Sequence, residues 1–162
     1  MQFSVGVEYA FHSLFYMVDL PQHKTIGIKE IARLHGITES YLSKIFTKLR
    51  KGGIVRSIAG VKGGYELARR AEDISFWDII EAIEGSSYFF QCAEIRKKNL
   101  FVDDPSVFTD QCPCLIKVVI QHAEELMRKE LQTKSLRWLY EQVYTTFPFD
   151  KRKAISEWVE EI

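Results

Sequence analysis

No stretch of this chain approaches the run of about 20 apolar residues that a membrane-spanning helix needs, which argues against insertion by a helix. The apolar opening MQFSVGVEYAFHSLFYMVDL has no basic leader and carries Glu8, His12 and Asp19, so it does not read as an export signal and a cytoplasmic protein is expected. A Cys-x-x-Cys redox pair, a His-Glu-x-x-His zinc helix, a nucleophile elbow and a phosphate loop are all missing, and catalysis is therefore not expected. Internal repeats and low-complexity tracts are missing too. So is net charge: 22 basic and 22 acidic residues cancel, and gross composition carries no sign of a polyanionic partner.

What is present is a pattern. Between Lys44 and Arg70 the basic residues Lys44, Lys48, Arg50, Lys51, Arg56, Lys62, Arg69 and Arg70 face one acid, Glu66, and such clustering is what phosphate contact requires. A length of 162 residues, 46% of them hydrophobic, suits one compact module with an appendage. Cysteine is sparse and odd in number: Cys92, Cys112 and Cys114. For a protein read as cytosolic, metal binding or thiol chemistry is a better starting point than structural disulfides.

Apolar spacing predicts a first helix over residues 3–19, stopped by Pro21. A second helix follows in IGIKEIARLHG, with Gly36 as its left-handed cap. Thr38 then opens a third helix, TESYLSKIFTKLRK, and a turn this tight makes the pair a helix-turn-helix. Gly52 and Gly53 end the third helix. IVRSI and YELAR read as two strands joined by the glycine-rich AGVKGG, and Ser75 with Asp78 forms a capping box that starts a fourth helix ending at Gly85. Residues 86–111 show no periodicity and read as a loop. A long helix is expected over 114–131, another capped by Thr133, and a short amphipathic helix from near Asp150. The fold class is mainly α with a small β-hairpin: a winged helix-turn-helix over 1–85, a cysteine-containing loop over 86–113, and a long helix with C-terminal helices over 114–162, whose apolar surplus suggests a partner subunit.

A winged helix puts its recognition helix in the major groove and its hairpin against the backbone or minor groove beside it. Ser40, Tyr41 and Lys44 lie in the first turns of the third helix, where side chains meet base edges, while Lys48 and Arg56 are better placed for phosphates. In the hairpin Lys62 stands beside Gly63, where a missing side chain permits close approach to the sugar-phosphate rail. Double-stranded DNA is the expected partner.

The run SYLSKIFTKLRKGGIVRSIAGVKGGYEL followed by ISFWDIIEAIEG resembles the IscR, NsrR and CymR family of bacterial winged-helix regulators, and the likeness extends over nearly the whole chain. The resemblance implies a homodimer built on the long helix and a palindromic operator. Some members have an arginine in the wing where this chain has Ala59, so operator sequence does not transfer. Many members hold an iron-sulfur cluster through three closely spaced cysteines before the dimerisation helix. Here Cys92 precedes Cys112 by 20 residues and only Pro113 separates Cys112 from Cys114. The resemblance thus implies a cluster, of two-iron two-sulfur type, without specifying its donors.

Soft thiolates suit iron, and Cys112 with Cys114 can hold one iron atom. Glu8 and His12, four residues apart on one face of the first helix, can converge on a metal. The opening GVEYAFH and the stretch FQCAEIRK are similar to the RsrR-type redox sensors of the family. That likeness implies Glu8 and His12 as the completing donors and Cys92 as a supporting thiol or alternative ligand. Two other readings stand beside it: Glu8 and His12 as an ordinary intrahelical pair, and Cys92 as a packed thiol or as half of a disulfide to Cys112 or Cys114.

Overall fold

The structure, a computed structural model, describes residues 2–162 apart from residues 22, 23, 61, 62 and 87. Its elements run α1 (Val5–Phe15), α2 (Ile28–His35), α3 (Glu39–Lys51), β1 (Val55–Ile58), β2 (Gly64–Leu67), α4 (Phe76–Glu84), α5 (Leu115–Gln132), α6 (Leu136–Tyr144) and α7 (Phe149–Glu161). Two compact units result: residues 2–86 with 131–162, and residues 87–130.

In the larger unit the helix-turn-helix forms for the local reasons that its sequence advertises. Gly36 adopts the left-handed conformation at φ 64°, which a side chain would strain, and its amide closes the end of α2. Two residues later the Thr38 hydroxyl accepts the Tyr41 amide at 3.3 Å and opens α3. Ile31, Leu42, Phe46 and Leu49 are fully buried with Leu14 of α1 and Ile79 of α4. The capping box is made in both directions, Asp78 amide to Ser75 hydroxyl at 3.1 Å and Ser75 amide to Asp78 carboxylate at 2.9 Å.

The hairpin pairs Val55 with Leu67 and Arg56 with Glu66 in antiparallel register. A third short segment joins it: Ile26 and Tyr65 exchange backbone hydrogen bonds at 3.0 and 2.9 Å, so the wing is tied to the residues just before α2. Gly64 permits this approach, because a β-carbon there would meet the Ile26 carbonyl oxygen at 2.7 Å.

Some boundaries differ from the sequence expectation. The first helix is shorter than 3–19: Ser4 holds the Glu84 carboxylate by amide and hydroxyl (2.8 and 2.7 Å), and tighter bonds such as Met17 amide to Leu14 carbonyl end it. Ser135, not Thr133, caps α6, accepting the Trp138 amide at 3.1 Å. Its position is set at long range, since Phe76 amide to Lys134 carbonyl and Leu136 amide to Ile74 carbonyl, both 2.8 Å, clip this segment to the start of α4. The helix α7 begins after Pro148, at Phe149.

The smaller unit contains two short 3₁₀ turns, Ile95–Lys98 and Pro105–Val107, and most of α5. Glu124 of α5 is 5% exposed and accepts three hydrogen bonds: from the Phe89 amide at 3.1 Å and from Arg128 Nε and Nη2 at 3.1 and 2.5 Å. Arg128 lies over the Tyr88 ring at 4.9 Å, so the start of the loop is pinned to the helix.

Candidate functional site

On the face of α3 expected to read DNA, Ser40 and Lys44 are exposed, and their spacing of four places them on one side of the helix. Tyr41, 36% exposed, sets its ring edge-on to Tyr9 at 5.8 Å, so it belongs partly to the packing against α1. Lys48 has a different partner from the phosphate expected of it: its Nζ donates to the Ile83 carbonyl at 2.7 Å, near the C-terminal end of α4. Replacing Lys48 by Ala is therefore expected to destabilise the fold by about 1 kcal/mol, read as a lowered Tm, with a smaller loss of DNA affinity than a change at Lys44.

Arg56 pairs with Glu66 across the hairpin at 2.6 Å, while Arg69 and Arg70 pair with Asp78 and Glu72 at 3.4 and 3.3 Å. Of the basic run, Lys44, Arg50 and Lys51 are exposed and without a partner among the described residues. Gly63 sits tightly in its own turn, its amide bonding the Gly60 carbonyl at 2.9 Å, and a β-carbon would strike the carbonyl oxygens of Ile58 and Gly60. Lys62 lies outside the described residues.

The cysteines do not group as their spacing suggests. Ligand atoms of Cys92, Glu94 and Cys114 lie within 4.8 Å of one another, whereas Cys112 is exposed and outside this group. Cys114 stands at the head of α5, its carbonyl taking the Val118 amide at 3.0 Å. The Lys117 amide, then Cys92 and the Ile116 amide, hydrogen-bond its sulfur and hold its pKa below the ordinary thiol value. For Cys92 the Glu94 amide lowers the pKa. The Glu94 carboxylate, which accepts the thiol at 3.3 Å, acts in the other direction together with burial and the neighbouring Cys114, and the net shift is upward.

Glu94 was not legible as a site residue. Its other oxygen accepts Arg96 at 2.7 Å, which keeps the carboxyl below its usual range, and Arg96 also donates to the Cys112 carbonyl at 3.2 Å while lying over the Phe108 ring at 4.5 Å.

Glu8 and His12 are exposed on α1 and line an apolar cavity of about 470 Å³ with Phe11, Phe15 and Phe76. Among the described residues no hydrogen bond or ion pair joins them. The His12 ring lies 6.3 Å from that of His35, whose pKa is lowered by burial and by His12.

Residues 3–142 match the Rrf2 family, described as iron-dependent transcriptional regulators. The chain belongs to the Rrf2 family. Protein rrf2 of Nitratidesulfovibrio vulgaris is 32% identical over 127 residues, covering 74% of this chain and 76% of that one. The HTH-type regulator NsrR of Shouchella clausii is 27% identical over 123 residues, with 76% and 77% covered. Among solved structures, IscR of T. potens superposes with a TM-score of 0.63 at 25% identity over 91% of this chain and 93% of its own. The oxidized form of Staphylococcus aureus CymR gives 0.61 at 26% over 87% and 97%.

The resemblance to IscR, NsrR and CymR is thus borne out, as is the mainly helical winged-helix fold with its two-stranded hairpin. Other relatives are named HTH-type transcriptional regulators, not enzymes. Among the described residues no helix is long and apolar enough to cross a membrane.

Proposed function

We propose that this Rrf2-family regulator binds a palindromic operator as a homodimer, with Ser40, Tyr41 and Lys44 at base edges and the wing, including Arg56, Lys62 and Gly63, along the flanking backbone. Its cysteine segment holds an iron-sulfur cluster, of two-iron two-sulfur type, that reports redox state or iron supply. The observation that carries this reading is the presence in one chain of an unobstructed Ser40 and Lys44 face on α3 and a thiol pair, Cys92 and Cys114, at the head of a long helix. Lys48 contributes less to phosphate binding than its place on α3 suggests, being bonded to Ile83.

Support for the homodimer comes from α5, which leaves Leu115, Ile116 and Val119 respectively 75%, 64% and 67% exposed. The donor set fits iron: two soft, charged thiolates have a harder carboxylate donor beside them. Cys112, Glu8 and His12 are the remaining donors, the last two offered by α1. A bound cluster supplies charge that changes with oxidation state, and joining the cysteine loop to α1 of a partner subunit couples that change to the spacing of the two recognition helices.

The test is iron and sulfide analysis of anaerobically purified protein, run beside operator gel shifts across salt concentration. Visible absorbance with stoichiometric iron and sulfide is expected, together with affinity that falls steeply with salt. Protein without iron or sulfide sinks the cluster reading, and affinity independent of salt sinks the DNA reading.

A second reading is favoured by the proximity of Cys92 and Cys114: a cluster-free regulator controlled by its thiols. The two thiols then give two electrons and two protons to hydrogen peroxide, whose oxygen-oxygen bond breaks to leave two waters while the sulfur-sulfur bond forms. Peroxide-treated apo-protein whose Cys92 and Cys114 stay alkylatable under denaturing conditions removes it.

A further inference from the structure

The cysteine nearest Cys114 in sequence is not its partner in space, and a carboxylate that no motif marks is. We propose that Cys92, Glu94 and Cys114 form an intrachain site for one thiophilic divalent cation, Fe²⁺ or Zn²⁺, with Glu94 rather than Cys112 as third donor. The inference rests on the reading of the cysteine segment as a metal sensor and concerns the protein without a cluster, since Cys92 and Cys114 cannot serve a cluster and a single cation at once.

Geometry comes first. With metal-sulfur and metal-oxygen distances of about 2.3 and 2.1 Å, tetrahedral donors sit about 3.5 Å apart. Cys92 Sγ and Glu94 Oε1 are at 3.3 Å, and the three donor atoms lie within 4.8 Å of one another, so small side-chain rotations close the site. Both ends of the site are held. Cys114 is fixed at the head of α5 by the amides of that helix, and the residues before Cys92 are anchored through the Phe89 amide on Glu124.

Glu94 itself adopts a left-handed backbone, φ 46°, alone among the described non-glycine residues. Such strain collects at ligand clamps, and here it accompanies a carboxylate set beside the two sulfurs.

Charge and surroundings agree with a cation. Two thiolates and a carboxylate carry three negative charges, and a divalent ion leaves a residue of one. The Arg96 guanidinium, 2.7 Å from the far oxygen of Glu94, offsets that residue and leaves Oε1 turned to the thiol. Arg96 is itself fixed by the Cys112 carbonyl and the Phe108 ring, the kind of outer support that orients a metal-binding carboxylate. An open cavity of about 510 Å³, lined by Glu94, Arg96, Cys114 and Lys117, leaves a fourth coordination position for water or another donor.

The experiment uses full-length, reduced, metal-free protein under anaerobic conditions, titrated with Co²⁺ and then displaced by Zn²⁺ or Fe²⁺. One cobalt per chain is expected, with thiolate-to-cobalt charge-transfer absorption and tetrahedral ligand-field bands. Cys92→Ser and Cys114→Ser should abolish the charge-transfer band, and Glu94→Gln should weaken binding at least about tenfold while keeping that band. Cys112→Ala, and Glu8→Gln combined with His12→Ala, should bind cobalt as the unaltered protein does.

Circular dichroism of each metal-free variant separates lost folding from lost binding. Unaltered cobalt affinity in Glu94→Gln, or its loss in Cys112→Ala, overturns the inference. Those outcomes leave the cluster reading standing on its own iron and sulfide analysis, and protein without sulfide that still binds cobalt this way retains the site and loses the cluster.

Discussion

Lys44→Glu is expected to abolish specific operator binding while leaving the stability of the free protein within about 0.5 kcal/mol of the original, as exposed substitutions usually do. Lys44 is exposed on α3 and has no partner among the described residues, so nothing in the fold depends on its charge. On DNA the situation reverses. One good base-edge contact is worth about 1–3 kcal/mol, and the proposed dimer on a palindromic operator loses it twice, so a fall on the order of a hundredfold or more follows even before the new carboxylate repels the backbone. Fluorescence anisotropy with specific and scrambled duplexes across salt concentration measures it. If Lys44 reads bases, Lys44→Ala removes discrimination between the duplexes; if it meets phosphate, both weaken alike and the salt slope falls by about one per contact. Original affinity in Lys44→Glu at matched salt removes α3 from the groove. Lys48→Ala is the internal contrast, because its lysine is engaged with Ile83 and its deletion is felt first in the Tm.

Features decided within a few residues were legible in the sequence. The left-handed Gly36, the Thr38 cap and the Ser75 and Asp78 box each depend on neighbours in the chain, and all three form as their residue types imply. Features decided by distant neighbours were not. Thr133 and Ser135 are equally good caps by type, and the choice falls to Ser135 because the backbone beside it bonds the segment that starts α4. Likewise Lys48 and Lys44 differ little as letters on an amphipathic helix. Only the approach of Ile83 separates a lysine that caps a helix from one left free for DNA.

The cysteine site shows the same division. Sequence adjacency favoured Cys112 with Cys114, yet Cys114 begins α5 with its sulfur bonded to helix amides while Cys112, ahead of the helix, stays exposed. Cys92 arrives from across a loop whose course no periodicity describes. Glu94 had no local signal at all, since neither a positive φ at a glutamate nor a carboxylate shared by an arginine and a thiol leaves a mark in one sequence.

Glu124→Leu is expected to loosen the loop that carries Cys92 more than any single change in the cysteines themselves. Glu124 is buried at 5% exposure, and its carboxylate is the acceptor for both Arg128 nitrogens and for the Phe89 amide. Leucine matches its bulk but accepts nothing. Arg128, with only 17% of its side chain exposed, then loses the carboxylate that it pairs with, and breaking a buried pair from one side costs roughly 3–5 kcal/mol. Because the lost bonds lie within residues 87–130, faster amide exchange is expected there, Phe89 first, with cobalt affinity falling alongside. Glu124→Leu with Arg128→Met removes both charges together and should recover most of the stability. Unchanged exchange at Phe89 in the single variant, or a double variant no more stable than it, means that this ion pair does not hold the cysteine loop to α5.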